Sequence, residues 1–346
     1  MGYAYCRLFR APLLLGLLLT ALALPAAADP VTDFYKDRQL NLVLGFSPGG
    51  GFDAYARLVT RTMPKYIPGE PRFITRNMPG AGSMIAANHV YNVSPTDGSE
   101  FGLFSADVII APLFGMATAK FDGRKFTWIG SASSDAIYCV AMGAAPFHSV
   151  DDTFKNEMLM GAAGIEMANV PALLNNILGT KFKVIKGYAG TAAVKLAAQR
   201  GEVQGWCNVG LESVRGANPE WLTDGTLRLL GQVGYEKRDD VPNVPYFPDY
   251  AKNDADRQVL KIIFGYPYMA RPFGGPPGIP ADRAAALRKA FDSTLKDKAF
   301  LEEAEKSRLE VRLITGAEID KFLSDIYRSP KPIVDRATVI HNEIVK

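Results

Sequence analysis

The segment Leu40–Arg57, LNLVLGFSPGGGFDAYAR, constrains the fold of this chain more than any other. An apolar, strand-like run breaks at Ser47-Pro48 into three glycines, Gly49, Gly50 and Gly51. A helical pattern follows, with Tyr55, Leu58, Val59 and Met63 on its apolar face and Asp53 placed to cap it. Strand, glycine turn and helix N-terminus in that order can hold an anion without any charged side chain. Unpaired backbone N–H groups and the positive end of the helix dipole point the same way. Glycine lets the ligand approach because no Cβ intervenes. A plain βα connection has the same pattern, so the rest of the chain must decide.

The first 28 residues read as an export signal. Arg7 and Arg10 form a basic start, Ala11–Leu24 an apolar stretch, and Pro25-Ala26-Ala27-Ala28 an A-x-A cleavage site before Asp29. Cys6 precedes the apolar stretch, whereas a lipid-anchored cysteine would follow it, so no lipid anchor is expected. The expected location is the periplasm. There Cys139 and Cys207 have two open readings, a disulfide or a pair of buried thiols. The net charge of +3 falls to +1 without Arg7 and Arg10, and no basic tract or acidic tail invites nucleic acid or a membrane surface.

Strand and helix patterns alternate through the next two hundred residues, which argues for an α/β fold with largely parallel sheets. Phe73–Thr75, Glu100–Phe104, Tyr138–Met142, Met158–Gly161, Phe182–Ile185, Gln204–Cys207 and Leu227–Gln232 read as strands. Helices are expected over Ser83–Val93, Val150–Lys155, Ala168–Leu178 and Ala192–Arg200. Arg271–Gly278, RPFGGPPG, reads as a turn-rich passage unfit for a central strand. Beyond it come helices at Ala281–Asp292, Lys298–Glu305, Ala317–Tyr327 and Pro332–Glu343, with a brief strand at Glu310–Leu313.

Gly45-Phe46-Ser47-Pro48-Gly49 matches the G-x-S-x-G nucleophile elbow, which would make Ser47 the nucleophile of a secreted hydrolase. The chemistry argues against it. The residue after the serine must donate its N–H to the oxyanion, and Pro48 has none. Losing one such donor costs about 3–4 kcal/mol of transition-state stabilisation. The chain holds only three histidines, His89, His148 and His341, and an elbow enzyme orders its partners Ser, acid, His. His341 lies in a terminal helix pattern and His89 inside another, so each reads as a surface or packed histidine rather than a base. No metal-ligand spacing, G-x-G-x-x-G or P-loop is present, so neither a metal nor another cofactor is expected.

The order of these motifs resembles the Bug receptors, the extracytoplasmic solute-binding proteins of tripartite tricarboxylate transporters. Their first loop, P-F-x-P-G-G-x-x-D-x-x-A-R, is met from Gly45 to Arg57 with a departure only at Gly45. Their second, N-x-P-G-A-G-G, reads Asn77–Ser83 here with Ser83 in place of the last glycine, and their P-x-D-G turn is met by Pro95–Gly98. Departures collect in the second half. Tyr188-Ala189-Gly190-Thr191 stands for Y-K-G-G, Gly201–Gln204 for G-x-V-D, and Asn208 for an aspartate.

The resemblance implies a type II periplasmic-binding-protein fold, two α/β domains that close on a ligand by hinge motion. It places one domain at 31–138 plus 268–346 and the other at 139–267, with hinge strands through Tyr138–Met142 and Tyr266–Arg271. A monomer is expected, capturing a di- or tricarboxylate or an aromatic carboxylate and delivering it to membrane permease subunits. A sensory co-receptor for a membrane kinase would share the same ligand site. One carboxylate would lie over Phe46, Ser47, Pro48, Gly49, Gly50, Phe52 and Asp53 and over Gly80, Gly82, Ser83 and Met84. The second domain would close with Ala162, Ala163, Gly164, Tyr188, Gly190, Thr191 and Asn208, and Arg271 is the candidate cation for a far carboxylate. Glu166 has two readings. Facing the cleft it would favour a zwitterion or a hydroxylated ligand, and otherwise it points outward from a helix N-terminus.

Overall fold

The computed structural model describes residues 1–3 and 29–345, so the body of the expected export signal lies outside the described residues. Eleven strands form two sheets. They are β1 (Gln39–Leu44), β2 (Arg72–Asn77), β3 (Glu100–Leu103), β4 (Thr127–Ser131), β5 (Ile137–Met142), β6 (Met158–Ala162), β7 (Phe182–Lys186), β8 (Gly205–Val209), β9 (Leu227–Val233), β10 (Pro272–Gly275) and β11 (Ile314–Thr315). The first sheet runs β11-β4-β10-β3-β1-β2 and the second β7-β6-β8-β5-β9. The expected α/β class holds, but the sheets are mixed rather than largely parallel. β1 is parallel to β2 and β3, and β6 to β7 and β8, while β4, β5, β9, β10 and β11 pair antiparallel.

Alternation along β1 explains the layering. Leu40, Leu42 and Leu44 pack with Tyr55 and Val59 of the helix Gly51–Thr62 and with Leu287 and Phe291 of the helix Ala281–Thr294. Val43 faces the other way, toward Ala86, Ala87 and Val90 of the helix Met84–Asn92. Each leucine, valine or phenylalanine among them, fully buried, contributes roughly 1.5–3 kcal/mol. The second sheet repeats the arrangement. Tyr138, Val140 and Trp206 face Val194 and Ala197 of the helix Thr191–Gln199. Cys139, Ala141 and Cys207 face Leu173 and Leu174 of the helix Ile165–Leu178 and Leu260 of the helix Asp254–Phe264. Cys139 and Cys207 lie opposite on β5 and β8 and form a disulfide, which decides between the two readings. The C-terminal helix Lys331–Val345 packs against the helices Asp254–Phe264 and Ile165–Leu178 and also against the turn Ala111–Phe114, where His341 stacks on Phe114.

The structure corrects several sequence expectations. The passage Arg271–Gly278 does contain a central strand. Pro272 is its first residue, where no ladder N–H is required, and the strand sits between β3 and β4. Its glycines fit a crowded site, since a Cβ on Gly274 would come 2.8 Å from the Trp128 ring. The strand expected at Glu310–Leu313 pairs instead at Ile314–Thr315, because the backbone before it is engaged elsewhere. Tyr55 donates its hydroxyl to the Glu310 carbonyl at 2.6 Å, and the Arg312 N–H goes to the Ala132 carbonyl. Tyr266–Met269 is a 3-10 turn with Pro267 in its first turn, not a strand. The two crossings between the sheets are tied to one another by Ala132 N–H to Arg271 O (3.1 Å), Asp135 N–H to Pro267 O (2.8 Å) and Ala270 N–H to Ser133 O (3.0 Å).

Candidate functional site

Three neighbouring strands of the first sheet, β3, β1 and β2, end side by side, and each runs into a turn and a helix. After β1, the residues Ser47–Gly51 are exposed and Gly50 caps the helix. Asp53 is therefore not the cap. Sitting third in the helix, its buried carboxylate accepts from Arg57 Nε (2.8 Å) and reaches back to the Gly49 N–H (3.0 Å). The Arg57 hydrogen bond, joined by the Gly49 amide, holds that carboxyl below the usual range. Asp53 fixes the loop, as a capping-box residue does.

The second turn is bonded to the first. Asn77 Nδ2 donates to the Phe46 carbonyl at 2.8 Å, and the Met78 N–H to the Leu44 carbonyl at 2.7 Å. The third joins through Ser83, whose buried hydroxyl accepts the Ser105 N–H at 2.8 Å, just ahead of the helix Ala106–Ile110. Gly45 and Ser83 are the places where the two loops depart from the resemblance stated above, and they touch. A Cβ on residue 45 would lie 2.2 Å from the Ser83 Cβ. The side chain missing at 45 makes room for the one present at 83. Met84 is buried beside Ser83, while Gly80 and Gly82 carry positive φ in the exposed part of the turn.

Aromatic packing closes this wall on one side. Phe46 stacks on Phe52 with centroids 3.8 Å apart. The Arg271 guanidinium lies 4.5 Å from the Phe52 ring and 5.2 Å from that of Tyr55, and donates to the Ala270 carbonyl at 2.9 Å. Arg271 and Phe52, both picked from the sequence, are thus brought together. Asn77 and Tyr55 hold the loops and were not picked. Asn77 opens the second loop motif, which was the available signal.

The remaining candidates belong to the second sheet, at the ends of β6, β7 and β8. Ala162 ends β6, Ala163 follows, and Gly164 caps the helix Ile165–Leu178. Glu166, the second residue of that helix, is exposed. Gly190 caps the helix Thr191–Gln199, and Tyr188 before it is half-buried with its ring beside Gly161. Thr191 Oγ1 contacts Met167 Sδ at 3.8 Å. Asn208, near the end of β8, has a left-handed backbone (φ 62°) next to the disulfide-bonded Cys207.

No hydrogen bond joins a histidine to Ser47 among the described residues. His89 lies 3.3 Å from Glu100 at the opposite end of β3, His148 gives its N–H to Asp152, and His341 stacks on Phe114. Among the described residues no group of three or more His, Cys, Asp or Glu is placed to hold a metal, and no helix is long and apolar enough to cross a membrane.

No family model matches the chain, and no curated protein matches it at a significant level. Solved structures do. A TctC solute-binding protein from Polaromonas, crystallised without ligand, is 19% identical and superposes with a TM-score of 0.70, covering 89% of this chain and 99% of that one. The periplasmic binding protein BugD is 20% identical, with a TM-score of 0.52 and coverage of 90% and 98%. A Rhodopseudomonas palustris protein solved with adipate is 18% identical, with a TM-score of 0.54 and coverage of 89% and 97%. The chain therefore has the two-domain α/β fold of the TctC and Bug periplasmic binding proteins.

Proposed function

We propose that this chain is a Bug-type extracytoplasmic solute-binding protein. It captures a small organic acid between a lobe of residues 31–138 with 268–346 and a lobe of residues 139–267. It then delivers the acid to the permease of a tripartite tricarboxylate transporter. The observation that carries this reading is the set of three βα turns tied together at the ends of β3, β1 and β2. They offer backbone rather than charge, since Asp53 and Arg57 are spent on each other. Such a wall binds a carboxylate through N–H groups and bridging water, at the strand ends where open α/β sheets take their ligands. The adipate bound to the R. palustris protein of the same fold supports a carboxylate.

Binding is capture without chemistry. Ser47 is exposed and, among the described residues, has no hydrogen-bonded histidine, and Pro48 offers no N–H to an oxyanion. The second wall, from Ala162–Gly164 and Tyr188–Thr191, meets the rest of the ligand and sets its length and functional group. The test is thermal unfolding of the protein without residues 1–28, stripped of ligand by unfolding and refolding, against mono-, di- and tricarboxylates, aromatic acids and amino acids. A ligand at a thousand times its Kd adds about 4 kcal/mol, a rise of several degrees. No shift with any acid contradicts the reading.

A further inference from the structure

Arg238, in the loop after β9, is 4% exposed and holds four groups at once. Nε and Nη2 grip the Asp240 carboxylate at 2.8 and 3.1 Å, Nη2 also reaches Glu310 Oε1 at 2.8 Å, and Nη1 donates to the Ser134 carbonyl. The Asp135 carboxylate stands 4.0 Å away. Asp240 and Arg238 belong to the second sheet's region, Ser134 and Asp135 to a crossing, and Glu310 to the segment leading into β11 of the first sheet. Two more arginines repeat the bridge. Arg312 reaches Asp239 at 2.8 Å, and Arg308 reaches the Gly216 carbonyl at 3.1 Å.

Glu310 has a second attachment. Its carbonyl accepts the Tyr55 hydroxyl at 2.6 Å, and Tyr55 lies under Arg271, which covers Phe52 of the first candidate loop. The same residue thus ties the other lobe to the helix that carries that loop. In this arrangement Ser47–Gly51, Gly164 and Thr191 are open to solvent.

We propose that the Arg238–Asp240–Glu310 network, with Arg312–Asp239, is an interlobe latch that holds the lobes apart and sets how much binding energy closure consumes. Arg238–Glu310 and Arg312–Asp239 each have one member in each lobe, so in this proposal rotation of one lobe on the other lengthens them. A buried guanidinium that loses a carboxylate is left undercompensated, which opposes the motion. The apparent affinity is then the intrinsic affinity scaled by the fraction of molecules able to close. This last step rests on the capture reading above; the latch itself does not.

The test is Glu310→Gln in the protein without residues 1–28, read by small-angle X-ray scattering without ligand and by calorimetric titration with adipate. The glutamine keeps the shape and one acceptor but removes the charge. The expected result is a smaller radius of gyration and an open-to-closed ratio shifted roughly tenfold, with adipate binding tightened by up to the same factor. Arg312→Gln, at a half-exposed position, should compact the protein in the same direction and serves if Glu310→Gln fails to fold. Scattering curves of both variants that superpose on the parent overturn the latch. Compaction without adipate binding keeps the latch and counts against adipate as the cargo, while binding with unchanged scattering keeps the capture reading alone.

Discussion

The two walls of the candidate site are built differently. In the first, three successive turns are bonded to one another through Asn77 to Phe46 and Ser83 to Ser105, with Asp53 holding Gly49 inside the first turn, above a leucine-rich sheet. In the second, the helices that follow Gly164 and Gly190 meet through the long Thr191–Met167 contact, and a disulfide fastens the sheet beneath them. In the proposed capture role, the contrast gives each wall a different task. A grip that is already in place loses little entropy when it takes a carboxylate, so it suits the group common to all ligands. A wall whose turns are free to vary suits the part that differs.

The largest expected effect falls on the second wall. Replacing Cys139 and Cys207 by alanine opens a staple across 68 residues, which should cost about 4 kcal/mol in denaturant unfolding. A loss below about 1 kcal/mol would mean that packing alone carries that sheet. Next comes the first wall's tightest contact. Gly45→Val should destabilise by about 1–3 kcal/mol through overpacking against Ser83 and abolish ligand binding. Adding Ser83→Gly should recover part of that loss, giving a coupling energy above about 0.5 kcal/mol in a double-mutant cycle. Strict additivity would show that the two positions do not compensate.

Smaller changes separate grip from selection. Asn77→Ala should cost about 1 kcal/mol of stability and weaken every acid ligand by roughly fivefold, since it frees Phe46 without touching ligand chemistry. Tyr188→Ala should cost less than about 1 kcal/mol yet reorder the preference among acids, measured by titration across the same panel. Uniform weakening by Tyr188→Ala would break the division of labour. The smallest effect is one of pH. Hydrogen bonding to Arg238, with help from Arg215, lowers the Asp240 carboxyl to about 2. A carboxyl lowered in the folded state adds stability that is complete above its unfolded value near 4. That stability is lost as pH falls toward 2. Asp240→Asn should flatten the acid limb of a stability-versus-pH curve between those values.

The first wall was legible because its chemistry is local. Three glycines after an apolar run, an asparagine before Pro79 and a helix pattern over Tyr55–Met63 all act within a few residues of one another. Long-range partners were not legible. Asp53 carries an N-cap residue type, but the chain enters its helix two residues earlier and uses Asp53 to hold Gly49. The passage after Arg271 has the composition of a loop, yet Trp128 packs where only glycine leaves room, and a central strand results. No element was expected over Asp254–Phe264, although Asn253 caps it through its side chain and its apolar face is buried under the second sheet. The disulfide stayed open in the sequence because only the register of β5 on β8 brings the two cysteines together.

The most direct test of carboxylate capture by the first wall is amide NMR of the protein without residues 1–28 during titration with adipate and related acids. The largest shifts are expected at the amides of Ser47 and Gly49–Phe52 and of Ala81–Met84, with a second set at Gly164–Glu166 and Gly190–Thr191 as the lobes close. Shifts that spare both first-wall loops while the acid binds elsewhere would contradict it.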